Sequence, residues 1–171
     1  LFIRGTANAV NALAAFEHLT VEEGPYTLSE LIEGVDAGDA DVPSAIGGAP
    51  KWGNDDDRAD RFGLELNARR DRALREVAAE CDIPPFAVCH VVRSLHFLDG
   101  QSIPATLDGR EAGSPVGDSV GAVLGTQGEG PTAMLNSVLK LDAARWFSGI
   151  YNLNLTLPGG PQSDLKVIRP L

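Results

Sequence analysis

The sequence predicts an α/β fold made of several helices and a few strands. Two patterns support this prediction: long stretches with apolar residues three or four positions apart, which indicate helices, and two short stretches that fit strands. Helices and strands that succeed one another along a chain are typical of α/β proteins. Because two strands do not form a stable sheet, we expect these strands to belong to a larger sheet or barrel.

Two helices are predicted in the first quarter of the chain. Residues 7–19 carry apolar side chains at helical spacing. Thr27 and Glu30 match a capping box, in which the threonine hydroxyl accepts from the glutamate amide and the carboxylate accepts from the threonine amide. A short helix is expected to follow and to end at Gly38, and residues 38–53 are predicted to form a loop.

A longer helix is predicted to end near Glu80. Asn54 is suited to be its N-cap, and the carboxylates of residues 55–57 favour the positive end of a helix. Consecutive helical side chains point about 100° apart, so we do not expect these carboxylates to converge on a metal ion. The predicted apolar stripe consists of Phe62, Leu66, Leu74, Val77 and Ala78.

The second half of the chain is predicted to hold two strands and one helix. Residues 86–92 form a valine-rich run that indicates a buried strand, and residues 150–157 alternate apolar and polar side chains as a strand does. Residues 97–130 are rich in glycine and are predicted to form a long loop. Pro131 suits the first turn of the helix that follows.

The composition indicates a globular protein with an acidic surface. Of 171 residues, 43% are hydrophobic and 22% are charged, and the net charge is −10. Such a surface repels phosphate groups and anionic lipids, so we expect neither nucleic acid nor a membrane as partner. No apolar run approaches the roughly 20 residues that span a bilayer, and reduced thiols in the cytoplasm are expected.

The residues alone indicate no catalytic or metal site. Cys81, Cys89, His90 and His96 lack a usual zinc spacing, and Cys89 and His90 are neighbours on a predicted strand, so their side chains leave opposite faces. The glycine-rich residues 125–130 lack the lysine of a phosphate-binding loop and are predicted to form a structural turn. No serine lies in a nucleophile elbow.

Three sequence blocks resemble signatures of the glycyl radical enzymes. Residues 49–57 read APKWGNDDD, residues 104–115 read PATLDGREAGSP, and residues 130–142 read GPTAMLNSVLKLD. The blocks occur in the family's order, and the third is most similar to the branch that contains glycerol dehydratase and choline trimethylamine-lyase.

This resemblance implies a ten-stranded α/β barrel, of which residues 1–171 form one partial domain, cut at both ends and without the glycyl radical domain. The parent would be a pyruvate formate-lyase-like lyase or dehydratase that cleaves a C–C, C–O or C–N bond of a small substrate in the cytoplasm of an anaerobe. A radical-SAM activating enzyme installs the glycyl radical in this family. The implied partners are the rest of the barrel, the activating enzyme, a small-molecule substrate and a second copy in a homodimer.

The sequence departs from the family at both reactive positions. Neither Cys81 nor Cys89 lies in the family's Cys-x-Glu context, and both follow the block of residues 49–57 instead of preceding it. The Arg-Val-x-Gly-Tyr string of the radical loop does not occur. We therefore expect an inactive fragment without a catalytic residue, cofactor or metal ion of its own. The alternatives are a non-catalytic subunit or remnant, and an unrelated small binding domain.

Scaffold roles are expected for the most typical residues of the three blocks. Asp108, Gly109 and Arg110 are predicted to form a buried turn in which the guanidinium donates to backbone carbonyls or to a carboxylate. The last helix is expected to be anchored near its end. The predicted scaffold residues are Asn54, Asp55, Asp56, Asp108, Gly109, Arg110, Lys140 and Asp142.

The first predicted strand is a candidate for the wall of a substrate pocket, since one face of each barrel strand points inward. The inward pair is either Val88 with His90 or Cys89 with Val91. An approximate spacing match to the family favours Cys89 and Val91.

The last predicted strand offers a second part of that wall. Asn152 and Asn154 share its polar face. This face either lines the pocket or is turned to a partner element or to water.

Overall fold

The computed structural model describes residues 1–21, 24–38, 41–90, 95–141 and 151–155. These residues form helices and three short extended segments. The helices are α1 (Thr6–Thr20), α2 (Leu28–Ala37), α3 (Asp41–Gly48), α4 (Asp57–Glu80), α5 (Leu95–Gln101) and α6 (Gly130–Lys140).

Two clusters of buried apolar side chains hold these elements together. One cluster joins the start of α1 to α6 and to an extended segment, and consists of Ala7, Val10, Trp52, Val88, Val120, Val123, Val138 and Leu141. The other joins the end of α1 to α2 and α3, and consists of Ala15, Leu19, Leu31, Val42, Ile46 and Ala49. Helix α1 also packs along α4, so it contacts most of the helical layer.

The predicted start and end of α2 are confirmed. The Thr27 hydroxyl accepts from the Glu30 amide at 3.3 Å, and the Glu30 carboxylate accepts from the Thr27 amide at 2.7 Å. The bond from the Thr27 amide lowers the pKa of Glu30. Gly38 ends the helix with φ of 68°, a left-handed conformation that favours glycine.

The loop predicted over residues 38–53 is wrong in part, because α3 lies within it. Val42 and Ile46 are four residues apart and both are buried. Pro43 lies in the first turn, where a helix does not use the amide donor that proline lacks. The short helix therefore depends on the packing of one apolar pair. Because glycines lie beside this pair, the sequence does not show a clear helical pattern.

Helix α4 starts two residues later than predicted and ends where predicted, at Glu80. Asp56, not Asn54, is the N-cap, and its carboxylate accepts from the Arg58 amide at 3.0 Å. Asp55 has φ of 56° and lies outside the helix.

The buried residues of α4 differ from the predicted apolar stripe and share only Ala78 with it. A methyl group on Gly63 would lie 2.9 Å from Trp52 Cζ3, so a small residue is needed where the indole packs. The predicted residues Phe62, Leu66 and Leu74 are half-buried and Val77 is exposed. The buried residues of α4 are Ala59, Asp60, Gly63, Asn67 and Ala78.

Three extended segments lie side by side and run in parallel. Residues 87–90 form the middle one. On one side Cys89 exchanges backbone hydrogen bonds of 2.8 and 3.0 Å with residues 1–3. On the other side the His90 carbonyl accepts a bond of 2.8 Å from residues 151–155. The chain therefore brings together three parts that are far apart in sequence.

Within the described residues these contacts are isolated bridges, and the predicted strands over 86–92 and 150–157 are not confirmed. Residues 91–92, 150 and 156–157 lie outside the described part. The described part is mainly helical, which departs from the predicted α/β balance. Three short parallel segments make few ladder bonds, and parallel sheets are stable only when larger and covered.

The loop predicted over residues 97–130 is shorter than expected, because its first residues belong to α5. Pro131 lies in the first turn of α6, as predicted. None of the described helices combines the length and the apolarity that a bilayer crossing requires.

Substituting Gly63 by alanine is expected to lower the free energy of unfolding by about 1–3 kcal/mol, because the added methyl meets the Trp52 ring. Helix propensity alone would raise it by about 1 kcal/mol. Gly47→Ala is the matched control, since Gly47 lies in α3 with nothing within 4 Å of the added methyl. Urea unfolding followed by circular dichroism measures both variants, and a similar gain in both would contradict the Trp52 contact.

Candidate functional site

A buried carboxylate three residues after the first sequence block is bound to the third block. The Asp60 side chain is 1% exposed, and its Oδ2 accepts from Lys140 Nζ at 2.7 Å and from Ser137 Oγ at 3.0 Å. Lys140 also contacts Asp55 at 2.8 Å and Asp57 at 2.7 Å. We call Asp55, Asp57, Asp60, Ser137 and Lys140 the carboxylate–lysine network. It joins the start of α4 to the end of α6.

The charges in this network are set by burial and by Lys140. Burial raises the pKa of Asp60, against the hydrogen bonds from Lys140 and Ser137, which lower it. The pKa of the more exposed Asp55 is lowered, mainly by the Lys140 hydrogen bond. Desolvation opposes protonation of Lys140, yet the three carboxylates raise its pKa well above the ordinary value. At neutral pH the lysine is therefore charged.

Asn54 connects two loops. Its Nδ2 donates to the Lys51 carbonyl at 3.2 Å and to the Thr126 carbonyl at 2.8 Å. Its Oδ1 accepts from the amides of Gly128 and Glu129 at 2.8 and 3.1 Å. Asn54 therefore joins the loop before α4 to the loop before α6 instead of capping a helix. An open cleft of about 910 Å³ lies beside this contact.

Arg110 closes the turn of the second block. The residue is 7% exposed. Its guanidinium donates to the carbonyls of Ile103, Pro104, Glu111 and Ser114. This arrangement matches the donor role expected of its guanidinium.

The rest of this turn is tied to α1. Gly109 has φ of 90°, a conformation that favours glycine. Asp108 is buried and accepts from Asn8 Nδ2 at 2.5 Å. The Asn8 Oδ1 accepts in turn from the Gly117 amide at 2.6 Å, so one side chain of α1 holds two points of the loop.

The middle extended segment has one covered and one less covered face. Val88 is 4% exposed and belongs to the cluster that includes α1 and α6 residues, and His90 is 1% exposed. Burial, followed by the positive charge of Arg70, lowers the pKa of His90 to about 4. The Cys89 side chain is only half-buried. The predicted pocket residue Val91 lies outside the described residues.

The last extended segment repeats this division. Leu153 packs against the first apolar cluster, whereas Asn152 and Asn154 are exposed. Asn154 Nδ2 donates to Asp118 Oδ2 at 3.1 Å. The predicted scaffold residue Asp142, like Val91, falls outside the described part.

Asp60, Ser137 and Asn8 were not identified as site residues from the sequence. Asp60 follows Asp57 by one helical turn, and Ser137 precedes Lys140 by three positions, so each shares a helix face with a residue of the network. That spacing could have identified Asp60 and Ser137. Within the described residues no group of three acidic, histidine or cysteine side chains is placed to hold a metal ion.

Replacing Lys140 by methionine is expected to lower the free energy of unfolding by about 3 kcal/mol at pH 7, because Asp60 stays buried without its cation. The matched control is Arg69→Met, which removes an exposed pair with Glu65 worth less than about 1 kcal/mol. A buried carboxyl with a raised pKa costs no stability below its unfolded-state pKa, and the cost grows as the pH rises through the folded-state pKa. The deficit should therefore shrink as the pH falls. Urea unfolding at pH 7 and pH 4.5 measures it, and equal deficits would contradict the role of Asp60.

Acidification is expected to destabilise the wild-type protein partly through His90. Its pKa is about 4 in the folded state, below the ordinary value of 6.5, so only the unfolded state takes up a proton between these values. Stability is fully present above pH 6.5 and declines towards pH 4, by about 3 kcal/mol in total. Unfolding of the wild type and of His90→Leu across this range gives the difference, and parallel profiles would contradict the prediction.

Comparison with known proteins gives a consistent result. A family model described as pyruvate formate lyase-like matches residues 2–80. Isethionate sulfite-lyase of Desulfovibrio desulfuricans is 32% identical over 140 residues, which are 78% of this chain and 16% of that protein. The chain thus spans about a sixth of the length of this curated relative.

Solved structures agree with the sequence matches. The glycerol-bound, B12-independent glycerol dehydratase of Clostridium butyricum superposes with a TM-score of 0.77 at 29% identity, over 86% of this chain and 19% of that one. The Roseburia inulinivorans protein studied for 1,2-propanediol dehydration gives 0.75 at 30% identity, over 90% and 21%. These matches exclude the alternative of an unrelated small binding domain. The chain belongs to the pyruvate formate lyase-like family of glycyl radical enzymes.

Proposed function

We propose that the chain forms part of the barrel wall of a glycyl radical lyase or dehydratase that cleaves a C–C, C–O or C–N bond of a small substrate. The observation that carries this proposal is the arrangement of three parallel extended segments beside a helical layer. Side chains alternate along extended backbone, so each segment packs one face on the helices and leaves the other for the interior. Residues 1–171 are then one partial barrel domain.

Apolar side chains left exposed near the face of the extended segments opposite the helices support this assignment. Exposed large apolar side chains are found in the first segment and beside the last one: Phe2, Phe97 and Leu124. Apolar side chains of this size are stabilised by burial against further protein. The partner that we propose is the remainder of the same barrel, because the curated relatives are several times longer than this chain.

The reactive groups belong to that remainder. Cys81 follows α4 and is exposed, Cys89 lies in a wall segment, and the radical-loop string does not occur in the sequence. The residues present therefore do not fit the thiyl or the glycyl position. In the whole protein, a glycyl radical installed by a radical-SAM activating enzyme would supply hydrogen-atom abstraction through the missing cysteine.

The role of this chain is to shape and seal the reaction chamber. On the uncovered face we place Cys89 and Val91, as well as Asn152 and Asn154, as the pocket-lining residues. The buried positions of Val88 and His90 against the helical layer support this choice. A closed wall excludes water and oxygen, which quench radical intermediates.

The substrate class is proposed from the relatives. Isethionate, glycerol and 1,2-propanediol appear in the names of three of them, and all three are two- or three-carbon molecules with a hydroxyl group. We therefore propose a small hydroxylated substrate and a place in the glycerol dehydratase branch. The parent would act in the cytoplasm of an anaerobe as a homodimer.

The proposed function is tested by electron paramagnetic resonance. The full-length gene product, incubated anaerobically with a radical-SAM activating enzyme, S-adenosylmethionine and a reductant, is expected to give a glycyl radical doublet. The 171-residue chain treated in the same way is expected to give none. A glycine-to-alanine substitution in the radical loop is the control. A reading frame that starts and stops at the ends of this chain would instead favour the non-catalytic subunit.

A further inference from the structure

A small cavity of about 250 Å³ lies beside the last extended segment. One wall is apolar and is formed by Phe97, Val116 and Leu124. The other wall carries Asp118 and Asn154, which contact each other. This volume is below that of most drug-sized pockets and suits a molecule of a few non-hydrogen atoms.

Asp118, which lines the cavity, has one carboxylate oxygen that the described protein does not satisfy. Asp118 Oδ2 accepts from Asn154 Nδ2 at 3.1 Å. Asp118 Oδ1 is buried and has no hydrogen-bond partner within the described residues. A buried carboxylate oxygen without a donor is costly, because it has lost its water and gained nothing in exchange. A donor from outside the described residues would remove that cost.

The backbone around Asp118 is held before any ligand arrives. The Gly117 amide donates to Asn8 Oδ1 at 2.6 Å, and the Gly117 carbonyl accepts from the Gly5 amide at 3.1 Å. The following residue, Ser119, is buried and has φ of 61°, which is rare for a residue with a side chain. A strained position of this kind persists only where its surroundings fix it, so the carboxylate is preorganised.

We propose that Asp118 and Asn154 recognise a hydrogen-bond-donating group, a hydroxyl or an ammonium, of a small molecule whose carbon skeleton lies against Phe97 and Leu124. This inference rests on the proposed function, because only that function turns the Asn154 face of the last extended segment towards the reaction chamber. It adds Asp118 as a specificity-determining residue and assigns Asn154 the task of positioning the Asp118 carboxylate.

The test is equilibrium binding of two probes to the full-length gene product, measured by isothermal titration calorimetry. The probes are 1,2-propanediol, which offers hydroxyls, and 2-aminoethanol, which adds an ammonium. Asp118→Asn keeps the shape but removes the charge, and is expected to weaken binding at least tenfold for the preferred probe. Glu111→Gln is the matched control, since it removes the same charge from an exposed side chain outside the cavity.

The two probes separate the two donor groups. A larger loss for 2-aminoethanol identifies an ammonium, and an equal loss for both identifies a hydroxyl. Asn154→Leu is a second variant, expected to weaken binding without altering the thermal unfolding midpoint. The inference is overturned if neither probe binds the wild type, or if Asp118→Asn binds both within twofold of it. A protein that forms the glycyl radical yet binds independently of Asp118 refutes this inference alone, whereas Asp118-dependent binding without a radical refutes the proposed function alone.

Discussion

The helical layer depends on one constraint, which is that the buried Asp60 carboxylate must be matched by a cation. Lys140 provides the cation from α6, and Ser137 adds a hydroxyl donor one turn earlier. A buried charge that loses its partner costs several kcal/mol, so α4 and α6 are held in one relative position. Lys140 also contacts Asp55 and Asp57, so the first and third sequence blocks, some 80 residues apart in the chain, meet at this point.

The remaining polar contacts extend the same arrangement to the loops. Asn54 holds the turn before α6, and Asn8 holds both the Asp108 turn and the Gly117 backbone. The Trp52 indole donates to the Val120 carbonyl at 2.9 Å, and its amide donates to Asn11 at 2.7 Å. All of these contacts except Asn8–Gly117 involve a block residue, which is Asn54, Asp108 or Trp52. The blocks therefore specify how a mostly irregular region is placed, which agrees with scaffold roles for them.

The sequence predicted features that are local and missed those that depend on distant partners. The capping box at Thr27 and the end of α4 follow from neighbouring residues, and both are confirmed. Asn54 was assigned to a cap because its type suits one, but three of its four partners lie more than 70 residues away. Helix α3 was missed because its only strong pattern is one apolar pair. Strands form regular structure only with the rest of a sheet. Three short segments therefore form less regular structure than the strand patterns in the sequence predict.

Because side chains alternate along extended backbone, the residues that pack on the helical layer determine which residues lie on the opposite face. Val88 and Leu153 pack against the same apolar cluster, so their neighbours in sequence must point away from the helical layer. Asn154 is one of those neighbours, and its contact with Asp118 shows that the loop before α6 reaches round to that side. The position of Asp118 is therefore a consequence of how α1 fixes Gly117. A change at Asn8 of α1 would therefore reach the cavity through Gly117, which lines it beside Asp118.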